Sequence, residues 1–191
     1  MLSVIIPTLD SDRALVPTLA SLVPGATAGL VSEVVIADGG SGDETALVAD
    51  VAGCGLVVAP GPLGLRLKTA VAQARAPWLL FLRPGIVLET PWIGETTSFI
   101  ERAVPGIRAA VFRRGAPAQS GVREALSLLA TALGARPRPE QGLIISQDFY
   151  RQVGGHSEQA ADPETDLIRR IGRRRIAALS SRSLQSSQYL T

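Results

Sequence analysis

Four short apolar runs constrain this chain more than any other feature. They are residues 2–7 (LSVIIP), 33–37 (EVVIA), 55–59 (GLVVA) and 78–82 (WLLFL). Each is too short for a helix, rich in β-branched or bulky residues, and closed by Pro, Gly or Asp, so each reads as a strand. None alternates apolar with polar, so both faces must be covered. Between the runs lie segments of helical character. Asp10 or Ser11 can cap a helix through Leu22, with Leu15, Leu19 and Leu22 on one side. Further helices are expected up to about Val51 and over 64–75. Strands without a polar face that alternate with helices make a mostly parallel sheet clad on both sides. Right-handed crossovers then bring the strand C-termini to one edge, beyond which such sheets bind ligands. The loops at 8–12, 38–43, 60–64 and 83–85 lie at that edge.

The second half is less regular. It predicts helices over 92–103, 122–133 and 164–171, a short helix near Phe149, and strands over 108–112, 142–146 and 175–179. Gly154-Gly155 marks a turn, and the Ser/Gln-rich residues 181–191 read as a frayed tail. No repeat or linker interrupts the 191 residues, so one domain is expected.

Composition excludes several classes. With 46% hydrophobic and 19% charged residues the chain can bury enough surface to fold, so disorder is excluded. A single Cys excludes an intrachain disulfide. No apolar run approaches the ~18 residues of a membrane span. The opening lacks the basic region and cleavage site of a signal peptide, so a cytoplasmic location is expected. Eight aromatic residues are too few and scattered for a nucleic-acid stacking platform, and no specific nucleic-acid partner is expected. Charge is uneven: residues 1–50 carry net −6, residues 51–150 net +5 and residues 151–191 net +3. All basic residues but Lys68 are Arg. That is either compositional bias or a preference for phosphate-like partners. Arg173-Arg174-Arg175, or the apolar face of helix 122–133, leaves peripheral membrane contact open.

Candidate chemistry sits in the edge loops. Asp38 ends the second strand in a small-residue turn, Asp38-Gly39-Gly40-Ser41-Gly42-Asp43. It can accept hydrogen bonds from a base or a sugar hydroxyl, or merely cap the next helix. Arg66 and Lys68 can reach a diphosphate or simply line a solvated helix face. In Asp162-Pro163-Glu164-Thr165-Asp166 the acids either complement a helix dipole or supply a general base. The lone His156 reads as a hydrogen-bonded structural group. A dinucleotide-binding oxidoreductase lacks its GxGxxG loop, and a nucleotidyltransferase lacks a Gly-rich first loop.

Taken in order, SVIIPTLD, EVVIADGGSGDET, PWLLFLRPG, QGLIISQDFYRQVGGHSE and DPETDLIRR resemble the family 2 glycosyltransferases of GT-A fold over about residues 2–179. The likeness is closest to the short bacterial radical-SAM/selenodomain-associated subgroup. The resemblance implies an α/β, GT-A-like fold, with a nucleotide-binding half over 1–85 and an acceptor side over 86–180. It implies a nucleotide-diphospho-sugar donor held by Pro7, Thr8, Asp10, Asp38, Gly39, Arg66 and Arg83. It makes Glu164 the general base of an inverting transfer to an acceptor hydroxyl, and Asp166 the second acid of that helix start. It also implies Mg²⁺ or Mn²⁺ on carboxylates after the fourth strand, but that position reads Arg83-Pro84-Gly85. Two expectations follow. Either Arg83, with Arg66, replaces the metal in a metal-independent transferase, or the chain keeps the fold, has lost catalysis, and binds a nucleotide sugar or a protein.

Overall fold

The structure, a computed structural model, describes residues 1–102, 108–115 and 136–186. One eight-stranded mixed sheet runs through it in the order β3-β2-β1-β4-β7-β6-β8-β5. β1 (Leu2–Thr8) is buried along its whole length and lies between β2 (Val31–Asp38) and β4 (Trp78–Phe81). With β3 (Gly55–Val58) beyond β2, these four strands are parallel. The unbroken apolar runs of β1, β2 and β4 therefore occupy the covered part of the sheet, as expected of parallel strands. The run in β3 does not: β3 is the edge strand, only Val57 is buried there, and Leu56 and Val58 are exposed, so the expected cover on both faces fails for want of a further neighbour. β7 (Leu143–Ser146) returns antiparallel to β4 and leads to β6 (Ala109–Arg114), β8 (Ile176–Gln185) and β5 (Ile86–Leu88).

Two apolar layers flank the sheet, and strand alternation assigns residues to them. Ile5, Leu79 and Phe81 face a layer built with α3 (Leu63–Gln73), α5 (Gln147–Gln152) and α6 (Pro163–Ile171). Val4, Ile6, Leu80 and Leu82 face the layer that holds Leu15 and Leu22 of α1 (Asp12–Thr27), Ala49 of α2 (Thr45–Val51) and Trp92 of α4 (Trp92–Glu101).

The structure departs from the expected elements in three places. Helix α1 runs on to Thr27, through Pro17 and Pro24 rather than ending at Leu22. The three-residue strand β5 is too short to show a period. The segment expected as a tail from 181 is β strand through Gln185, held by pairing to both β5 and β6. Ser181 and Ser183 are buried there, so ladder bonds override a polar sequence. The expected helix 122–133, and membrane contact through it, lie outside the described residues. Among the described residues no helix is long and apolar enough to cross a membrane.

Candidate active site at the sheet edge

The loops after β1 and β2 are laced together. Asp38 is 4% exposed, and its carboxylate accepts four hydrogen bonds. Thr8 Oγ1 donates at 2.8 Å, the Gly40 N–H at 2.8 Å and the Ser41 N–H at 2.7 Å; the Ser41 hydroxyl also donates. These bonds outweigh burial and hold the Asp38 carboxyl below its ordinary value. Asp10 takes a left-handed backbone (φ 48°), which Asp tolerates better than most residues. Its Oδ1 accepts from the Gly42 N–H at 2.8 Å, and its own N–H donates to Ser41 Oγ at 2.9 Å. Pro7 is buried within β1 opposite Ala37. Thr8, Asp10 and Asp38 thus serve first to fix the shape of the edge, and Asp10 is engaged by the β2 loop.

Arg66 arrives from α3 and lies directly over Gly39, where an added Cβ would stand 1.9 Å from Arg66 Nη1. With any larger residue at 39 the guanidinium would have to swing aside. Its Nε is buried with no hydrogen-bond partner among the described residues, while Asp38 supplies a nearby negative charge. An unmatched buried N–H is costly unless something else satisfies it. Lys68, two residues on and so about half a turn round the helix, pairs with Glu158 at 3.0 Å.

Arg83 follows β4, at the same edge as Thr8, because Leu82 N–H still bonds the Ile5 carbonyl. The loop is pinned to α1 by the Gly85 N–H, which reaches the Ala14 carbonyl and Thr18 Oγ1, each at 2.9 Å. Arg83 Nε donates to Glu164 Oε2 at 2.8 Å, and its Nη2 forms an ion pair with the same oxygen at 2.6 Å. Its Nη1 donates to Glu140 Oε1 at 2.9 Å. Glu164 is 7% exposed at the side chain and Arg83 33%. Burial pushes the Glu164 carboxyl above its ordinary value of 4.5, with Arg83 holding it down in part. Asp162 caps α6 through the Thr165 N–H and adds a further charge beside Arg83.

The structure thus brings Arg83 and Glu164 into contact, and Thr8, Asp38, Gly39 and Arg66 into a second cluster on the same edge. It does not bring Asp166 to either. That carboxylate pairs with Arg169 and Arg170 of its own helix, each at 2.8 Å. Arg170 in turn donates to the Val153 and Gly155 carbonyls and so fixes the Gly154-Gly155 turn. His156, as expected, is a hydrogen-bonded structural group: it is buried, 2.9 Å from the Tyr150 hydroxyl. Sequence reasoning missed Glu140. The available signal was an acid just before a strand that starts at the ligand edge, legible only once β7 is known to run antiparallel to β4.

The donor set tests the metal that the GT-A resemblance implies. Among the described residues no group of three or more His, Cys, Asp or Glu is placed to hold a cation. The loop after β4 offers a guanidinium where a carboxylate would be needed, and Glu140 and Glu164 are both engaged by it. The residues here do not fit a divalent ion, and no step below passes through one.

No protein-family model and no curated protein sequence matches the chain. Solved structures do. Glucosyl-3-phosphoglycerate synthase from Mycobacterium tuberculosis, in complex with phosphoglyceric acid, is 20% identical with a TM-score of 0.69, over 93% of this chain and 69% of that one. The same synthase with Mn²⁺, UDP and glucosyl-3-phosphoglycerate gives 20% identity and a TM-score of 0.68, over 93% and 68%. A further mycobacterial protein is 22% identical with a TM-score of 0.69, over 94% and 65%. At such identities the likeness is one of fold: an α/β mixed sheet flanked by helices, of the GT-A-like nucleotide-sugar transferase kind.

Proposed function

We propose that this chain transfers a sugar from a nucleotide-diphospho-sugar to an acceptor hydroxyl. What supports the reading above all is the Arg83–Glu164–Glu140 cluster standing on the same sheet edge as the Thr8–Asp38 pair. The synthase of similar fold is described with UDP and with its glucosylated product, which fits such a donor. In this reading residues 1–85 hold the nucleotide, with the base and ribose over Pro7, Thr8, Asp10, Asp38 and Gly39. The Arg66 guanidinium, lying over Gly39, meets the diphosphate. Arg83 uses two of its five N–H groups in hydrogen bonds to carboxylates, which leaves others for diphosphate oxygens. It thereby offsets charge on the leaving group without a metal. Glu164 takes the proton of the acceptor hydroxyl. The oxygen attacks the anomeric carbon, the bond from that carbon to the diphosphate oxygen breaks, and its electron pair leaves with the nucleoside diphosphate. Attack opposite the leaving group inverts the centre.

Calorimetric titration of UDP, GDP and their sugar conjugates, with Mn²⁺ and again with EDTA, tests this. Binding is expected to survive EDTA. Glu164→Gln is expected to spare donor binding and to lower turnover at least ~100-fold. Binding lost on chelation rules out Arg83 as the replacement for a metal. A second reading, a GT-A-like binding module without catalysis, draws on one observation: Glu164 Oε2 is already held by a hydrogen bond and an ion pair from Arg83. Donor binding with no turnover of any sugar conjugate would favour it.

A further inference from the structure

Beside the Arg83–Glu164 pair opens a second space. A cleft of about 850 Å³ lies between the turn Pro139–Gln141, with the residues before it, and α6. Arg136, Arg138 and Glu140 line it from one segment, and Thr165, Arg169 and Arg173 from the other. Its volume lies within the range of small-molecule sites.

The charge in this cleft is unbalanced. Glu140 is its sole acid, and that carboxylate is engaged by Arg83 at 2.9 Å. Arg169 pairs with Asp166. Arg136, Arg138 and Arg173 form no ion pair with any described residue. Three arginines, from two segments far apart in sequence, line one cleft with no counter-charge of their own among the described residues. Arg forks of this kind bind oxyanions by paired, charge-assisted hydrogen bonds. Approach from two walls suits a tetrahedral group with three acceptor oxygens better than a planar carboxylate.

The position is equally specific. β4 lies between β1, which carries Thr8, and β7, which the Pro139–Gln141 turn introduces. Arg83, at the end of β4, therefore stands between the donor edge and this cleft. Thr165 lines the cleft and follows Glu164, and Glu140 lines it while bonded to the Arg83 that also holds Glu164. The cleft therefore lies beside the helix start that carries the candidate base, and Arg66 is not among its lining residues.

We infer that the cleft formed by Arg136, Arg138 and Arg173 is the acceptor pocket and selects a hydroxylated acceptor bearing a phosphate monoester. The assignment as acceptor rests on the glycosyl-transfer reading; the phosphate site does not. The phosphate can belong to a small soluble molecule or to a lipid headgroup, and the chemistry at the arginines is the same.

The test uses the full chain, glycerol 3-phosphate as the soluble probe, and phosphatidylcholine vesicles with and without phosphatidic acid. UDP is titrated in parallel, and thermal unfolding reports on folding. The double variant Arg138→Ala/Arg173→Ala changes only exposed side chains. It is expected to keep its unfolding midpoint and its UDP affinity. It is also expected to weaken glycerol 3-phosphate, or the phosphatidic-acid component of vesicle binding, at least about tenfold. Loss in the soluble arm assigns a soluble acceptor, and loss in the vesicle arm alone assigns a headgroup. Absence of binding in both arms, or binding equal in the variant, overturns the proposal. Arginine-dependent phosphate binding without any UDP-sugar binding keeps the phosphate site and removes the transfer reading. UDP-sugar binding without phosphate binding does the reverse.

Discussion

Asp38 illustrates how a residue that suits a ligand is first a structural part. Its carboxylate satisfies Thr8 Oγ1, the Ser41 hydroxyl and two N–H groups, so removal takes the acceptor from all four, the buried Thr8 hydroxyl among them. Asp38→Ala is expected to cost about 3 kcal/mol in urea unfolding, as well as weakening UDP binding. An unchanged midpoint would mean that the loop does not depend on that carboxylate. His156 supplies a pH effect of definite sign. Its ordinary value is 6.5, and burial, with Arg170 and Lys68 adding to it, pushes the imidazole down to about 3. Between those values the unfolded chain binds a proton that the folded chain refuses, so stability falls as pH drops below 6.5. Between pH 6 and 5, where most carboxylates are ionised in both states, one such group gives a slope of about 1 kcal/mol per pH unit. His156→Gln is expected to flatten that slope; an identical slope in the variant would place its origin elsewhere.

Among the elements, α3 carries the heaviest positional demand. Its first turn lies so close to the 154–162 loop that a Cβ on Gly64 would stand 2.0 Å from the Ser157 carbonyl oxygen. The contact is with backbone, so a side chain cannot be accommodated by a rotamer change. Gly64→Ala is expected to cost about 2 kcal/mol. By shifting α3 it also displaces Arg66, so UDP affinity should fall along with the unfolding midpoint. A variant with wild-type stability would show that the loop yields freely. The turn before β7 has a different kind of demand. Gln141 Nε2 donates to the Phe112 carbonyl at 2.7 Å and Gln141 Oε1 accepts from the Arg138 N–H at 2.9 Å. These two bonds hold Glu140 toward Arg83 and Arg138 at the cleft wall.

At the scale of the whole molecule, the last strand ties together the elements that follow residue 85, pairing with β5 and β6 and bonding to α4. Glu95 of α4 accepts from both the N–H and the hydroxyl of Ser181 in β8, each at 2.8 Å. Glu95→Ala leaves both Ser181 donors, on a residue 3% exposed, without an acceptor and is expected to cost about 2 kcal/mol. If residues 1–186 form one cooperative unit, near- and far-ultraviolet circular dichroism should still report a single coincident transition at a lower denaturant concentration. Two separated transitions would divide the chain. Read alone, the sequence set out four strands, their helical connections and the ligand edge, because apolar runs that alternate with helices favour a parallel sheet with helices on its faces; the cover over β3, whose Leu56 and Val58 are exposed, it misjudged. It also offered Asp38 and Glu164 as candidates, because turn and cap patterns are written in neighbouring residues, and Arg66 as a basic residue on the helix after the third strand. Only the tertiary structure decided that residues 181–185 are strand, since their polar side chains carry no period and their ladder partners lie far away. Only it placed Glu140 on Arg83, turned Asp166 toward Arg169 and Arg170, and assembled the arginine cleft. Those side chains come from separate segments, and no spacing along the chain encodes a convergence that the sheet order alone creates.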